Sequence, residues 1–289
     1  MTQPDIDKHT GVETTGHSWD GVKELNNPLP RWWLIVFWVT VLWSIGYWIF
    51  MPAWPFPGGF TKGLRNHSER ANVEAAVAAL QESRASTMRQ LLQVKTIDEI
   101  ERDPALLQYT MAAGGSIFGD NCATCHGAGG QGFAGYPNLN DDDWLWGGTF
   151  DQIRRTIRHG VRSEDAKGHQ GVMQAFGRDK VLTSAQIGDV VQHVLSLSAQ
   201  SHDAAAASRG AVIFQQNCVS CHGVDGRGDQ KFGAPNLTDG IWLYGGDPER
   251  IRETITNGRQ GVMPAWETRM TDEQIVALAA YVHSLGGGK

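Results

Sequence analysis

Two pentapeptides carry residues whose types and spacing fit the covalent attachment of haem. They are Cys122-Ala123-Thr124-Cys125-His126 and Cys218-Val219-Ser220-Cys221-His222, and each reads C-x-x-C-H. Two thiols at this spacing reach the two vinyl groups on one edge of a porphyrin, and the adjacent histidine supplies an imidazole nitrogen to the iron. The chain has 4 cysteines, so the two motifs use all of them. The sequence therefore predicts two covalently bound haem c groups, with His126 and His222 as proximal ligands.

Two other uses of a C-x-x-C pair fit this chain less well. A zinc ribbon expects its second pair about 15–20 residues after the first, whereas the second pair here begins only at Cys218. A thioredoxin-like redox pair does not require a histidine after the second cysteine. Because both motifs have that histidine, haem attachment is the favoured interpretation.

A methionine in each half is the candidate sixth ligand of an iron. Met173 and Met263 both follow Gly-Val and precede a short segment that ends in an aromatic residue. A thioether ligand raises the reduction potential of a haem, and it also fills the coordination position that oxygen chemistry would need. From the order along the chain we expect Met173 to serve the haem of His126, and Met263 to serve the haem of His222. Methionines are also common packing residues, and His159, His169 and Met270 are the competing ligands.

The region that contains these motifs consists of two copies of one repeat, which become visible when the sequence is compared with itself at a fixed offset. Phe118–Cys122 matches Phe214–Cys218, and Trp144–Gly148 matches Trp242–Gly246. Gly171-Val172-Met173 matches Gly261-Val262-Met263, but the first copy has eight more residues between Gly160 and Gly171 than the second has between Gly258 and Gly261. Ala204–Ala207 is the predicted linker between the units.

Each unit predicts three main helices. The first runs into the haem motif, and the second carries isoleucines four residues apart (Ile153 and Ile157, or Ile251 and Ile255). The third begins with a capping-box pattern at Thr183 or Thr271. Helices around a flat apolar cofactor describe a small cytochrome c domain, so we predict domain 1 over residues 108–200 and domain 2 over residues 204–289. Four tryptophans are expected either to line the haem cavities or to serve as packing: Trp144, Trp146, Trp242 and Trp266.

One apolar stretch before these units is long enough to cross a membrane. No Asp, Glu, Lys or Arg occurs from Trp32 to Thr61, and Trp32–Met51 supplies the roughly 20 apolar residues that a span needs. Tryptophans mark both ends of the stretch, as expected at membrane interfaces. The 31 preceding residues are too long and too acidic for a cleaved signal peptide, so residues 32–54 are predicted to be a permanent anchor.

The haem motifs also indicate the compartment. Covalent c-type haem fits an oxidising export compartment, so we place residues 1–31 in the cytoplasm of a bacterium and the haem domains in the periplasm, behind a single span of the inner membrane. Residues 55–107 are predicted to form a periplasmic helical linker, with one helix over 66–93 and a shorter one from Thr96. This linker is either an arm that contacts a partner or a solvated spacer.

Composition excludes one class of partner. The 289 residues carry a formal charge of −6, and only 19% are charged, so nucleic acid is not an expected partner. The predicted fold class is all-α: one N-terminal transmembrane helix, a helical linker and two tandem cytochrome c domains.

Taken together, these features resemble the dihaem P subunit of cbb3-type cytochrome c oxidases. The resemblance covers nearly the whole chain and includes Asn26–Trp33, Gly46–Trp48 and Pro52–Pro55 as well as both haem motifs and both Gly-Val-Met motifs. It implies an electron-transfer subunit of a haem–copper oxidase that reduces oxygen and pumps protons. The implied partners are the catalytic oxidase subunit, a monohaem membrane cytochrome c subunit, and a soluble or membrane cytochrome c as electron donor. The chain itself is expected to have no catalytic site.

Two other functions are compatible with parts of the sequence. A dihaem electron-transfer subunit of another periplasmic dehydrogenase or reductase would have the same haem motifs, but the segment around the anchor argues against it. A dihaem peroxidase would need one open or histidine-ligated iron, whereas both units carry a matched methionine.

Overall fold

The computed structural model describes residues 5–286, and these divide into two compact units, Met1–Gln81 and Glu82–Lys289. About half of the described residues are helical, and the strands form only two small hairpins in this part of the chain, so the predicted all-α class is confirmed. The boundaries of the predicted domains stay predictions.

The first unit contains the candidate membrane helix between two hairpins. Strands β1 (Thr14–Trp19) and β2 (Val22–Leu25) pair antiparallel, as do β3 (Pro55–Phe56) and β4 (Gly59–Phe60). Helix α1, Arg31–Phe50, is the one described helix that is long and apolar enough to cross a membrane, and none of its residues is buried. Its 20 residues extend about 30 Å, which matches a hydrocarbon core. It ends before Pro52, which lacks the N–H that a further turn would use.

The remaining helices follow in chain order. They are α2 (Glu69–Gln93), α3 (Ile97–Glu101), α4 (Pro104–Asn121), α5 (Ala123–His126), α6 (Phe150–His159), α7 (Ser184–Leu197), α8 (Ala204–Asn217), α9 (Val219–His222), α10 (Pro248–Asn257) and α11 (Asp272–Ser284). The two repeat units thus supply equivalent helices: α4, α5, α6 and α7 from the first, and α8, α9, α10 and α11 from the second.

The helices of the second unit of the structure form two hydrophobic cores, here called the first and second lobes. The first lobe combines α4, α5 and α6 with α11, which comes from the other repeat. Its core is built from Phe118 of α4, Ile153 and Ile157 of α6, and Ile275 and Leu278 of α11. The last helix of the chain therefore completes the lobe that contains the first haem motif.

The second lobe is built in the reciprocal way. Helices α8, α9 and α10 of the second repeat pack with α7 of the first repeat. The core brings Phe214 of α8 and Ile251 of α10 against Ile187, Val191 and Leu195 of α7. The sequence order predicts two domains made of consecutive residues, whereas in the structure each lobe takes its final helix from the other repeat.

Two equivalent glycines allow the exchanged helices to approach closely. A Cβ on Gly114 of α4 would overlap the backbone carbonyl of Ala277 in α11. A Cβ on Gly210 of α8 would overlap the carbonyl of Asp189 in α7. The same contact thus occurs in both lobes, each time between different repeats.

Several local predictions are confirmed at the helix ends. Thr183 and Gln186 form a complete capping box at the start of α7, and Thr271 and Gln274 form the same box in α11. The predicted linker at Ala204–Ala207 is wrong, because these residues are the first turn of α8. Asp203 caps that turn: its carboxylate accepts from the N–H groups of Ala205 (2.8 Å) and Ala206 (3.1 Å).

The end of the predicted linker belongs to the first lobe. Leu91 in the last turns of α2 and Ile100 in α3 are both fully buried in the core that contains Phe118. Burying large aliphatic side chains of this kind stabilises a fold by about 1.5–3 kcal/mol each. Residues from about 91 onward therefore pack as part of the folded lobe and are not a solvated spacer.

Candidate haem sites

The first lobe encloses a cavity of about 430 Å³ at the first C-x-x-C-H motif. Cys122, Cys125 and His126 all line it. Helix α4 ends at Asn121, and the short α5 then turns the motif into the cavity. The sequence therefore places both thiols and the imidazole of the first motif in one pocket.

The second lobe contains an equivalent cavity of about 300 Å³. Cys218, Cys221 and His222 line it, positioned by α8 and the short α9. In each lobe, a buried phenylalanine of the preceding helix, Phe118 or Phe214, lines the same cavity.

The two motif histidines are held in one tautomer by the backbone. His126 Nδ1 lies 3.0 Å from the carbonyl oxygen of Pro137, and His222 Nδ1 lies 3.2 Å from that of Pro235. A carbonyl only accepts, so each Nδ1 carries the proton and each Nε2 keeps its lone pair for a metal. Burial lowers the pKa of both imidazoles, which favours the neutral form that ligates iron.

The chemistry of the cavities fits a haem in three further ways. None of the four cysteines is in a disulfide, so all four sulfurs are available for thioether bonds to haem. Among the described residues no group accepts from the buried Nε1–H of Trp144, which lines the first cavity. An unpartnered donor of this kind suits a carboxylate such as a haem propionate. The walls are otherwise mainly apolar side chains.

Each candidate methionine lines the cavity that contains the haem motif of the other repeat. Met263 lines the cavity of His126, and Met173 lines the cavity of His222. The structure therefore does not bring together the predicted pairs, Met173 with His126 and Met263 with His222. The physical reason is the exchange described above: the methionine segment precedes the last helix of each repeat and crosses to the other lobe with it.

Short runs of backbone hydrogen bonds hold the two methionine segments at the places where they cross to the other lobe. Val161 and Met263 exchange two N–H···O bonds of 2.9 Å, and Met173 and Arg259 exchange bonds of 3.0 and 3.1 Å. Gly160, at the end of α6, has a φ of +71°, and a Cβ there would overlap the carbonyl of Met263. Gly258, at the end of α10, has a φ of +69° and meets Met173 in the same way. Both positions need glycine because the backbones cross there.

The competing ligands have other partners. His159 Nδ1 lies 2.7 Å from a carboxylate oxygen of Asp165, and His169 stacks on Trp146 with ring centroids 4.3 Å apart. Met270 packs against the core of the first lobe. None of the three lines either cavity. The four singled-out tryptophans do line them: Trp144, Trp146 and Trp266 the first, and Trp242 the second.

Four residues line both cavities, and sequence reasoning did not find them. They are Leu145, Arg162, Leu243 and Tyr244. Leu243 and Tyr244 match Leu145 and Trp146 in the repeat, so the aromatic motif indicated the right segment without indicating its position between the lobes. Arg162 lies in the stretch where the first copy is longer, and the repeat gave no counterpart for it.

Two covalent-haem motifs in two helical lobes, preceded in the sequence by one candidate membrane helix, define a membrane-anchored dihaem c-type cytochrome. Comparison with protein families supports each part. Residues 11–57 match the N-terminal domain of cytochrome oxidase-cbb3, FixP. Residues 111–198 match cytochrome c, and residues 205–282 match cytochrome c oxidase, cbb3-type, subunit III.

Individual relatives resemble the chain over its full length. It is 54% identical to a cbb3-type cytochrome c oxidase subunit FixP of Bradyrhizobium diazoefficiens, over 99% of this chain and 98% of the relative. It is 52% identical to the subunit CcoP of Cereibacter sphaeroides, over 96% and 95%. The chain therefore belongs to the FixP/CcoP family of cbb3-type cytochrome c oxidase subunits. It is an electron-transfer subunit with two covalently bound haem c groups, which agrees with the prediction, and a role with another dehydrogenase or reductase is not favoured.

Proposed function

We propose that this subunit relays electrons from a donor cytochrome c, through its two haems in series, towards the oxygen-reducing subunit of the oxidase. The observation that carries the relay is the shared wall between the cavities. Leu145, Arg162, Leu243 and Tyr244 line both, so the two sites are separated by single layers of side chains. A short packed path of this kind suits repeated one-electron transfer.

The proposed ligand sets follow the exchanged geometry. Cys122, Cys125 and His126 would hold the first haem, and Met263 would supply a thioether ligand to it. Cys218, Cys221 and His222 would hold the second haem, and Met173 would supply a thioether ligand to it. The positions of the two methionines on the cavity walls support this assignment.

The chain's own residues prepare both sites for electron transfer. The haems supply one-electron redox chemistry, and the protein binds, orients and tunes them. The carbonyls of Pro137 and Pro235 hold the histidines in the metal-binding tautomer. The backbone hydrogen bonds of Met173 and Met263 hold the main chain of both methionines in place, so that little backbone rearrangement need accompany a change of charge.

The proposed placement in the membrane follows from the attachment chemistry. Helix α1 is the single anchor, residues 1–31 face the cytoplasm, and both lobes lie in the periplasm of a bacterium. The proposed neighbours are the catalytic haem–copper subunit and a monohaem membrane cytochrome c subunit, with a soluble or membrane cytochrome c as donor. Support comes from the named relatives, which are subunits of cbb3-type oxidases.

The ligand assignment is tested one haem at a time. Replacing Cys122 and Cys125 by serine leaves a protein with only the second haem. In that background Met173→Ala should abolish the far-red methionine–iron(III) charge-transfer band and allow carbon monoxide to bind the ferrous haem. Met263→Ala in the same background is the matched control and should leave the band intact. The reverse result would restore the pairing by sequence order.

The relay itself is tested in the assembled oxidase. Purified complex that carries Met173→Ala or Met263→Ala should lose most oxygen uptake with reduced cytochrome c, because the potential of one haem falls when its thioether is lost. Oxygen uptake with a small artificial donor that bypasses this subunit should persist. Full activity with reduced cytochrome c in both variants would exclude the serial relay.

A further inference from the structure

Arg162 occupies a position that no other arginine in the described part of the chain shares. It lies in the segment where the first repeat is longer than the second, and its side chain lines both haem cavities. Arg259 lines only the second cavity, where its guanidinium stacks 4.1 Å from the ring centroid of Tyr244. Arg162 is thus the one cationic side chain described on the walls of both sites.

The guanidinium of Arg162 joins the two methionine segments. Its Nε donates to the carbonyl of Gly261 at 2.6 Å, and one of its terminal nitrogens donates to the carbonyl of Gly171. These glycines are the first residues of the two Gly-Val-Met motifs. A single side chain therefore contacts both segments that carry a candidate thioether ligand. In each segment the contact is two residues before the methionine.

The backbone of Arg162 is held in an unusual conformation. Its φ is +49°, a left-handed value that costs free energy for a residue other than glycine. The surrounding hydrogen bonds impose it: Arg162 N donates to the carbonyl of His169 at 2.6 Å, and the neighbouring Val161 pairs with Met263. Strained residues of this kind cluster at active sites, ligand clamps and switch regions.

The charge of Arg162 is not neutralised by the protein. Among the described residues no carboxylate lies within ion-pairing distance of it, although most of the other arginines of the second unit have such a partner. Burial lowers its pKa, but an arginine stays protonated at neutral pH. A partly desolvated cation acts more strongly on neighbouring charges than one in water.

We propose that Arg162 is a shared positioning residue that sets the reduction potentials of both haems together. Its positive charge, exposed to both cavities, disfavours the extra charge of a ferric iron and attracts haem carboxylates, so it raises both potentials. Its two carbonyl contacts keep both methionine segments in register. This inference rests on the proposed two-haem relay, and it adds the residue through which the two sites are tuned as one.

The test compares three variants of the purified oxidase by spectroelectrochemical titration of both c-type haems. Arg162→Gln removes the charge and should raise the ratio of oxidised to reduced haem about tenfold at both sites at a fixed electrode potential, a downward shift of about 59 mV for a one-electron couple. Arg162→Lys keeps the charge and should recover more than half of that shift. Arg178→Gln is the matched control, because Arg178 is 60% exposed and lines neither cavity.

Each possible result of these titrations either supports or overturns the proposal. A shift at one haem alone would assign Arg162 to a single site, and equal shifts in the Gln and Lys variants would exclude its charge as the cause; either result overturns the inference. Unchanged potentials in Arg162→Gln would do the same. Covalent haem content and the methionine charge-transfer band are recorded for each variant. If the glutamine variant does not retain both haems, Arg162→Met, which keeps the apolar stem, is titrated in its place. The ligand assignment fails separately, through the Met173 and Met263 variants.

Discussion

Asp143 is a partly buried carboxylic acid on the wall of the first cavity. Desolvation is the main cause that raises its pKa to about 6, and repulsion from the carboxylates of Asp239 and Asp141 adds to it. The group is therefore neutral below about pH 6 and becomes an anion above it. An anion beside the haem stabilises the ferric state, so the charge of Asp143 lowers the potential of the first haem.

We accordingly predict that the potential of the first haem falls as the pH rises through 6. The slope cannot exceed about 59 mV per pH unit for one proton and one electron. Asp143→Asn should remove this pH dependence and should raise the potential above pH 6, as measured by redox titrations between pH 5 and 8. The neighbouring Asp142→Asn is the control, since Asp142 is exposed and does not line the cavity. An unchanged slope in Asp143→Asn would assign the proton to another group.

At the scale of the helices, α4 contains two glycines whose replacement by alanine is expected to have opposite effects on stability. A Cβ on Gly114 would overlap the backbone carbonyl of Ala277, whereas a Cβ on Gly119 would meet nothing within 4 Å. Because the obstacle at Gly114 is the backbone of α11, the two helices must move apart to accept a methyl group. We predict that Gly114→Ala destabilises the first lobe by about 1–3 kcal/mol, the usual cost of overpacking.

Gly119→Ala supplies the control on the same helix. It should be neutral or should stabilise by about 0.5–1 kcal/mol, because alanine has the higher helix propensity. The measurement is the urea midpoint of the haem absorbance change in detergent-solubilised protein. Equal effects of the two substitutions would mean that α11 does not pack on α4 at this glycine.

The sequence predicted most of the helices but not their partners. The periodicity of Ile153 and Ile157, the capping boxes and the C-x-x-C-H motifs are local signals, and the structure has helices at those positions. Such local signals do not show that the last helices are exchanged, because α7 and α11 have the same hydrophobic periodicity and the same capping box. For the same reason the sequence order pairs each methionine with the haem motif of its own repeat, whereas in the structure each methionine lines the cavity of the other motif.

At the scale of the whole molecule, two differences between the repeats favour the exchanged arrangement. Asp189 of α7 forms an ion pair of 2.6 Å with Arg209 of α8, but the residue of α4 that matches Arg209 is Ala113. If α7 packed on α4, Asp189 would lose this partner. The exchange thus satisfies a charge that the sequential arrangement would leave unpaired.

The aromatic residue of α11 gives a second difference. Tyr281 lies against Gly115 of α4, where even a methyl group would come within 3.2 Å of the ring. The equivalent residue of α8 is Ala211, so Tyr281 would be crowded if α11 packed on its own repeat. Both differences disfavour two lobes that each consist of consecutive residues.

A chain that ends at residue 202 is therefore predicted to lack a native first haem site. It retains Cys122, Cys125 and His126, but it has neither α11 nor Met263, and the core of the first lobe loses Ile275 and Leu278. We expect haem to be attached but without methionine ligation, so that the ferrous form binds carbon monoxide and the ferric form lacks the charge-transfer band.

The control for this truncation keeps the whole chain and removes only the second haem, through serine at Cys218 and Cys221. Because α11 and Met263 are still present, its first haem should keep the methionine band and exclude carbon monoxide. A truncated chain with the same methionine-ligated spectrum would show that α7 and Met173 fold back onto α4 and α6. That result would show that α7 can take the place of α11 in the first lobe, and the contacts of Asp189 and Tyr281 would then not be what selects the exchange.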